Sequence, residues 1–188
     1  GGLLAILIEN DTLEQLREKQ ALFPRKDQTS ADVVQRMLTW HHDNWIADRS
    51  EDTSPHEACL SFLRALSLFS RPMSESELDA LVAGGASLAR PLCDTNRAEA
   101  EIHLRKSGLL VRKTSGEWDT HSAVRRFFGD KLHDQFPELW KEAHNTLWEY
   151  FLENSRQRPE TADELELVAR AIHHGCLSGK YYEAYVVY

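Results

Sequence analysis

Residues 108–121 read GLLVRKTSGEWDTH, and they interrupt an otherwise helical pattern. Leu110 to Thr114 is β-prone, Ser115-Gly116 is a two-residue turn signal, and Glu117 to Thr120 is β-prone again. That order predicts a hairpin, the only convincing one in the chain. Three helix signals precede it. A helix–helix–helix–hairpin order over about 55 to 120 is the order of a winged-helix domain, so one hairpin restricts the fold more than any other feature.

The helix signals carry their own punctuation. Ser30 precedes ADVVQRMLTWHHDNWIA, where Val33, Met37 and Trp40 recur at helical spacing beside Val34, Leu38 and Trp45. Ser54, Pro55 and Glu57 read as a capping box with proline at the first helical position. The helix they open places Cys59, Phe62, Leu63, Leu66 and Phe69 on one side. Ser74 and Glu77 form a second capping box, and Gly84-Gly85 ends that short helix. Asp94 or Thr95 can cap a third, which Gly108 terminates. After the hairpin, Val124, Phe127, Phe128 and Leu132 mark one helix, and Leu139, Ala143, Leu147 and Tyr150 the next. SRQRPE is a linker. Thr161 and Glu164 open another helix, carrying Leu165, Val168, Ala169, Ile172 and Cys176. The expected fold class is mainly α: a winged helix with one short β-hairpin, flanked by a helical segment and by TPR-like helical pairs.

The closing stretch, GCLSGKYYEAYVVY, raises the question of a phosphate-binding loop. Such a loop needs Gly, four residues, then Gly-Lys and Ser or Thr, after a strand. Here three residues separate Gly175 from Gly179, and Tyr181 follows Lys180 where a Mg²⁺-binding hydroxyl is required. The residues before Gly175 read as helix. GKYYEA fits the turn of a tetratricopeptide-type (TPR) helix pair instead. In that reading Gly179 permits the turn, Tyr181 packs between helices and Ala184 sits where helices cross closely. Helical repeats need several stacked units to bury a core. The expectation is therefore that the segment belongs to a longer polypeptide.

Composition excludes several classes. A net charge of −8 argues against a general nucleic-acid surface. No apolar run approaches the roughly 18–20 residues that span a bilayer, so no membrane role is expected. Three isolated cysteines, Cys59, Cys93 and Cys176, point to a reducing compartment and a cytoplasmic location. The pairs His41-His42 and His173-His174 lack the i, i+4 spacing of helical metal ligands, because adjacent side chains diverge by about 100°. They read as ordinary histidines, and no metal site is expected. Cys176 continues an apolar stripe and reads as a structural thiol. Nothing reads as catalytic machinery, and the segment is expected not to be an enzyme by itself. Arg105, Lys106, Arg112 and Lys113, with Arg125 and Arg126, form a locally basic cluster. The first four are the candidate DNA contacts if the third helix and wing meet a duplex. NRAEAEIHLRKS is a poor recognition helix, however, because its two glutamates would meet phosphate. A solvated or inter-domain face is the plainer reading.

Four stretches, in order, resemble the STAND class of NTPases, which includes NLR-type immune receptors. GGLLAIL at 1–7 resembles the family's G-G-L-P-L-A motif, with Leu4 at the proline position. CLSFLRALSLFSRPMSESELDAL resembles the opening helices of the family's winged helix. EWDTHSAVRRFF resembles the region of the Met-His-Asp motif, with Thr120 and Ser122 at the Met and Asp positions. GCLSGKYYEAYVVY resembles the helical repeats that follow in many members. The resemblance implies the end of a helical nucleotide-lid segment at 1–50, a winged helix at 51–133 and the start of repeats at 134–188. It implies that His121 contacts the β-phosphate of bound ADP, with Ser122 capping the next helix as aspartate would. Read from the residues alone, His121 is equally a capping or packing histidine. The segment has no cofactor of its own; ADP or ATP with Mg would bind the parent. The implied partners are an N-terminal NTPase core in the same chain, a protein or small-molecule ligand at the repeats, and further copies when the switch is active. The competing readings are a winged-helix transcription regulator and a helical protein-binding adaptor.

Overall fold

The computed structural model describes residues 55–92, 94–155 and 158–187, together with 35, 36, 38, 39, 42 and 43. Among them the chain is mainly helical, with one antiparallel hairpin. The expected features at 1–7, at Ser54 and at Cys93 lie outside the described residues, as does nearly all of the 1–50 segment.

Helix α1, Pro55–Ser67, is the centre of the molecule. Ala58, Cys59, Phe62, Leu63, Ala65 and Leu66 are each at most 1% exposed, so more than one face is covered. A helix apolar on that many sides needs neighbours around it. They are α3, Asp94–Lys106, and α4, Ser122–Gln135, with a 3₁₀ turn at Ser87–Ala89. Helix α2, Glu75–Ala83, starts at the expected capping box: the Ser74 hydroxyl accepts from the Glu77 N–H, and the Glu77 carboxylate accepts from the Ser74 N–H. Its polypeptide turns away through Gly85, at φ +73°.

The hairpin is shorter than its sequence suggests. Strand β1 is Val111–Arg112 and β2 is Trp118–Asp119, paired as Val111 with Asp119 and Arg112 with Trp118. The turn differs too. The Lys113 N–H donates to Glu117, the Gly116 N–H donates to Lys113, and Gly116 takes φ +90°. That is a three-residue loop with glycine in the left-handed position, rather than a two-residue turn. A third strand segment was not legible. Met73, between α1 and α2, exchanges backbone hydrogen bonds of 2.8 and 2.9 Å with Trp118. This bridge docks the hairpin on the helices that precede it. Trp118 then lies edge-on over Phe62 at 5.3 Å, with only 1% of its surface exposed.

Helix α5, Pro137–Asn154, follows α4 almost directly, with Phe136 between them. It pairs with α6, Ala162–Leu177, as an antiparallel hairpin: His144 meets His174, and Phe151 meets Arg170. Thr161 caps α6 as expected, but Glu164 reaches back to the Glu160 N–H rather than to Thr161. The core is continuous from α1–α4 and the hairpin into this pair. Glu142 accepts from the Ser87 hydroxyl and N–H, and Phe69 stacks edge-on against His174 at 5.6 Å. Buried Glu77 pairs with Arg71 and, at 3.6 Å, with Arg170 of α6.

The last helix, α7, spans Tyr181–Val187. Ala184 is 1% exposed against α6, as the close-crossing expectation required. Tyr181 corrects another expectation. It is 70% exposed and does not pack between helices, because Ala184 turns α7 so that its tyrosines face outward. Among the described residues no helix is long and apolar enough to cross a membrane.

Candidate functional site

Helix α4 begins where the hairpin ends, and its first turn holds the candidate anion contact. The N-cap is His121, not Ser122 as expected. Its Nδ1 accepts from the Ala123 N–H at 3.2 Å. The reason is positional: Thr120 is anchored by its hydroxyl, which donates to the Leu109 carbonyl at 2.7 Å. Its N–H donates to Asp119 at 2.9 Å. With the strand end fixed, His121 is the residue with extended backbone, at φ −61° and ψ 140°, from which a side chain can cap. This hydrogen bond settles the tautomer of the neutral ring. Nδ1 is the acceptor, so Nε2 carries the proton. His121 is exposed, and its remaining function is that of a donor beside the positive end of a helix dipole.

The side chains around it are arranged by charge. Burial pushes the Asp119 carboxyl up, but hydrogen bonds from Lys113 and Arg125 outweigh it and hold the group below its ordinary range. Arg125 donates to Asp119 at 2.8 Å and to the Arg71 carbonyl at 3.2 Å. Lys113 meets Asp119 at 3.0 Å.

The remaining candidate DNA contacts are drawn largely into pairs of the same kind. Arg112 meets Glu101 at 3.3 Å and Glu75 at 3.9 Å, and lies 5.1 Å from the centre of the Trp118 ring. Arg105 meets Glu101 at 3.7 Å. Lys106 is exposed at the end of α3. The sequence set Glu101, Glu117 and Asp119 against these cations; the fold pairs Glu101 and Asp119 with them and adds Glu75.

An open groove of about 550 Å³ runs along α4 from this turn, against the end of α1 and against α5 and α6. Ser122, Arg125 and Arg126 lie at one end, Asp130, His133 and Asp134 toward the other, and Trp140 and Leu177 form an apolar wall. Nothing in the sequence pattern announced it, because its lining comes from four parts of the chain.

The closing GCLSGKY stretch is a helix end. Gly175 is buried inside α6, and its carbonyl accepts from the Lys180 N–H at 2.9 Å. The Cys176 carbonyl accepts from Gly179, which takes φ +90°. These are the bonds of a glycine-terminated helix, and they consume the N–H groups a phosphate would need. Its histidines diverge: His173 is exposed and His174 is 3% exposed. Cys176 is half-buried against the core, and burial pushes the Cys59 thiol up to about 12. His42 is buried, hydrogen-bonded to Asp43 at 3.0 Å, and held below its ordinary pKa first by desolvation. Among the described residues no group of three or more potential metal ligands comes together.

Sequence reasoning missed a buried pair. His144 of α5 and His174 of α6 approach Nδ1 to Nδ1 at 2.7 Å, with rings 5.0 Å apart. Phe151 stacks on His174 at 5.4 Å, and Trp140 lies 4.2 Å from His144. One ring must donate from Nδ1 and the other accept, so the two cannot both be cationic. Burial drives His144 down to about 3 and His174 to about 2, with neighbouring imidazoles adding to both. His144 Nε2 is buried without a hydrogen-bond partner. The pair is a structural joint, remote in character from the exposed donor at His121.

No protein-family model, curated protein or solved structure matches this chain.

Proposed function

We propose that the chain is a regulatory segment of a nucleotide-dependent signalling switch of the STAND type, with His121 as the donor to the β-phosphate of ADP. The observation that carries this reading is the His121 cap. Its Nδ1 bond to Ala123 leaves a protonated Nε2 on an exposed ring at a helix N-terminus. That is suitable chemistry for a phosphate oxygen contributed across an interface. The order of winged helix and helical pair supports the same reading.

The phosphate-binding loop and Mg²⁺ would belong to an NTPase core in the same polypeptide, and the segment itself would perform no chemistry. ADP would hold the winged helix against that core. A protein or small-molecule ligand at the helical pairs would favour the alternative packing, ATP exchange and assembly with further copies. Defence signalling in the cytoplasm is a suitable setting. Pairing of Arg105, Arg112 and Lys113 with carboxylates weighs against the DNA-binding reading.

The expected result is a local one. In the natural protein, adding ADP should slow amide hydrogen exchange at residues 122–126 by tenfold or more, on the order of 1.4 kcal/mol of added protection. Unchanged exchange there, with exchange slowed elsewhere by bound ADP, would remove His121 from the nucleotide site.

A further inference from the structure

Helix α6 is held to the molecule by little apolar surface of its own. Its buried residues are Val168, Ala171, His174 and Gly175, and Leu167, Ile172 and Cys176 are only half-buried. The largest of the buried four is a titratable one, His174. The facing side of α5 is heavier: Leu147, Trp148 and Phe151 are each at most 4% exposed. Among the described elements α6 packs chiefly against α5 and α7, and α7 chiefly against α6. Two ties reach further, Arg170 to Glu77 at 3.6 Å and His174 edge-on to Phe69 at 5.6 Å. Helix α5 is anchored separately, against α2, α4 and the 3₁₀ turn. A segment with few buried apolar contacts opens at lower free energy than the core it rests on.

The joint that closes this segment accommodates one proton and not two. Nδ1 of His144 and Nδ1 of His174 are 2.7 Å apart, and one must donate while the other accepts. With a proton on each, two N–H groups face each other and the contact cannot persist. His144 Nε2 is already buried without a partner, so the closed joint satisfies that ring poorly. The surrounding charges do not help. His173 and Arg170 of α6 and Arg71 ahead of α2 disfavour a cation at His174, and Glu77 of α2 is paired with both arginines. Helix α4 brings His133, paired with Asp134, to 5.5 Å from the Trp140 ring. At the start of α7, Lys180 pairs with Glu149 of α5. Among the described residues no carboxylate meets either ring to stabilise an imidazolium.

We infer that α6 and α7 form an acid-released latch: uptake of one proton by each of His144 and His174 frees the two helices from α5, while α1–α5 stay folded. Opening uncovers Trp148, on which Gly175 packs, and Phe151, whose ring stacks on His174. Once open, each histidine titrates near its ordinary value of about 6.5. The closed form, which holds both values below that, is fully favoured above pH 6.5 and loses ground as pH falls. Two protons taken up on opening raise the open population by roughly 10²–10³-fold between pH 7.5 and 5. The latch is independent of the nucleotide reading.

Native-state amide exchange of the 188-residue chain from pH 7.5 to 5 tests this, each amide being corrected for its intrinsic rate. Amides of residues 168–175 should be at least tenfold less protected than those of residues 62–66 in α1 at every pH. Their protection should fall by roughly 10²–10³-fold across the range, with a slope approaching two protons per opening below pH 6. His144→Phe/His174→Phe should remove that slope. Equal protection in α6 and α1, a pH-independent α6 in the wild type, or an unchanged slope in the double variant would each overturn the inference. Should the double variant fail to fold, the wild-type slope and the difference between α6 and α1 decide.

Discussion

Lowering the pH from 7.5 to 5 should cost the folded chain on the order of 4 kcal/mol through two residues. His144 and His174 are 0% and 3% exposed, and burial holds their pKa values near 3 and 2. In the unfolded chain each returns to about 6.5. The sign follows. Between those values the unfolded state binds two protons that the folded state refuses. Stability is therefore full above pH 6.5 and falls as pH drops, by about 1.4 kcal/mol per unit for each histidine. The penalty has no outlet within the joint. After burial, His144, His173, Arg71 and Arg170 are the neighbours that further disfavour protonation of His174. Around the two rings lie Phe69, Phe151 and Trp140, which cannot stabilise an imidazolium as water would. Urea unfolding at both pH values measures the difference. His144→Phe/His174→Phe replaces both rings with apolar ones and should remove most of the slope. A wild-type chain equally stable at pH 5 and 7.5 would mean that the pair is hydrated or already open.

Gly175→Ala should destabilise the chain by about 2 kcal/mol, although alanine is the better helix former. Gly175 lies in α6 where it crosses α5. A Cβ there would stand 2.5 Å from Cε3 and 2.7 Å from Cζ3 of Trp148. Trp148 is 4% exposed, so its ring has no solvent side to move into. The crossing must widen, and the adjacent His144–His174 contact would widen with it. Gly129→Ala is the control within the same molecule. It also sits inside a helix but meets only ordinary contacts, so it should gain up to about 1 kcal/mol. Thermal melts of the two variants should move in opposite directions, by about 4–8 °C downward for Gly175→Ala. Equal shifts would show that helix propensity, and not the α5–α6 contact, governs both sites.

These two effects show where the sequence was readable. Local chemistry was. Ser74 and Glu77 announced α2, Gly108 ended α3 at φ +67°, and residues 110–120 formed the expected hairpin, though shortened. Each such signal involves residues a few positions apart. Pairings across the chain were not readable. His144 occupies a position between Trp140 and Leu147 on the buried side of α5, but a histidine in one sequence does not declare itself a core residue. Its partner lies thirty residues away. His174 looked like half of a polar doublet, and only the approach of α5 separates its role from that of His173. Glu77 was legible as a cap and not as the carboxylate that joins α2 to Arg170. The basic cluster was misleading in part for the same reason: linear reading sets Glu101 and Asp119 beside these cations but misses Glu75 arriving from α2.

The candidate site divides in the same way. His121 could be named from the sequence only through the resemblance of its stretch to a Met-His-Asp motif. Its role as the N-cap could not, since that depends on Thr120 being held by Leu109 and Asp119. The proposed switch rests on the proton at Nε2 that this geometry leaves available. The direct test is to purify the natural polypeptide carrying this segment, denature it, and identify the released nucleotide for wild type and for His121→Ala. The account predicts near-stoichiometric ADP in the wild type and a loss of tenfold or more in the variant, with the winged helix still folded. Wild-type protein without nucleotide, or equal ADP in both proteins, would contradict it.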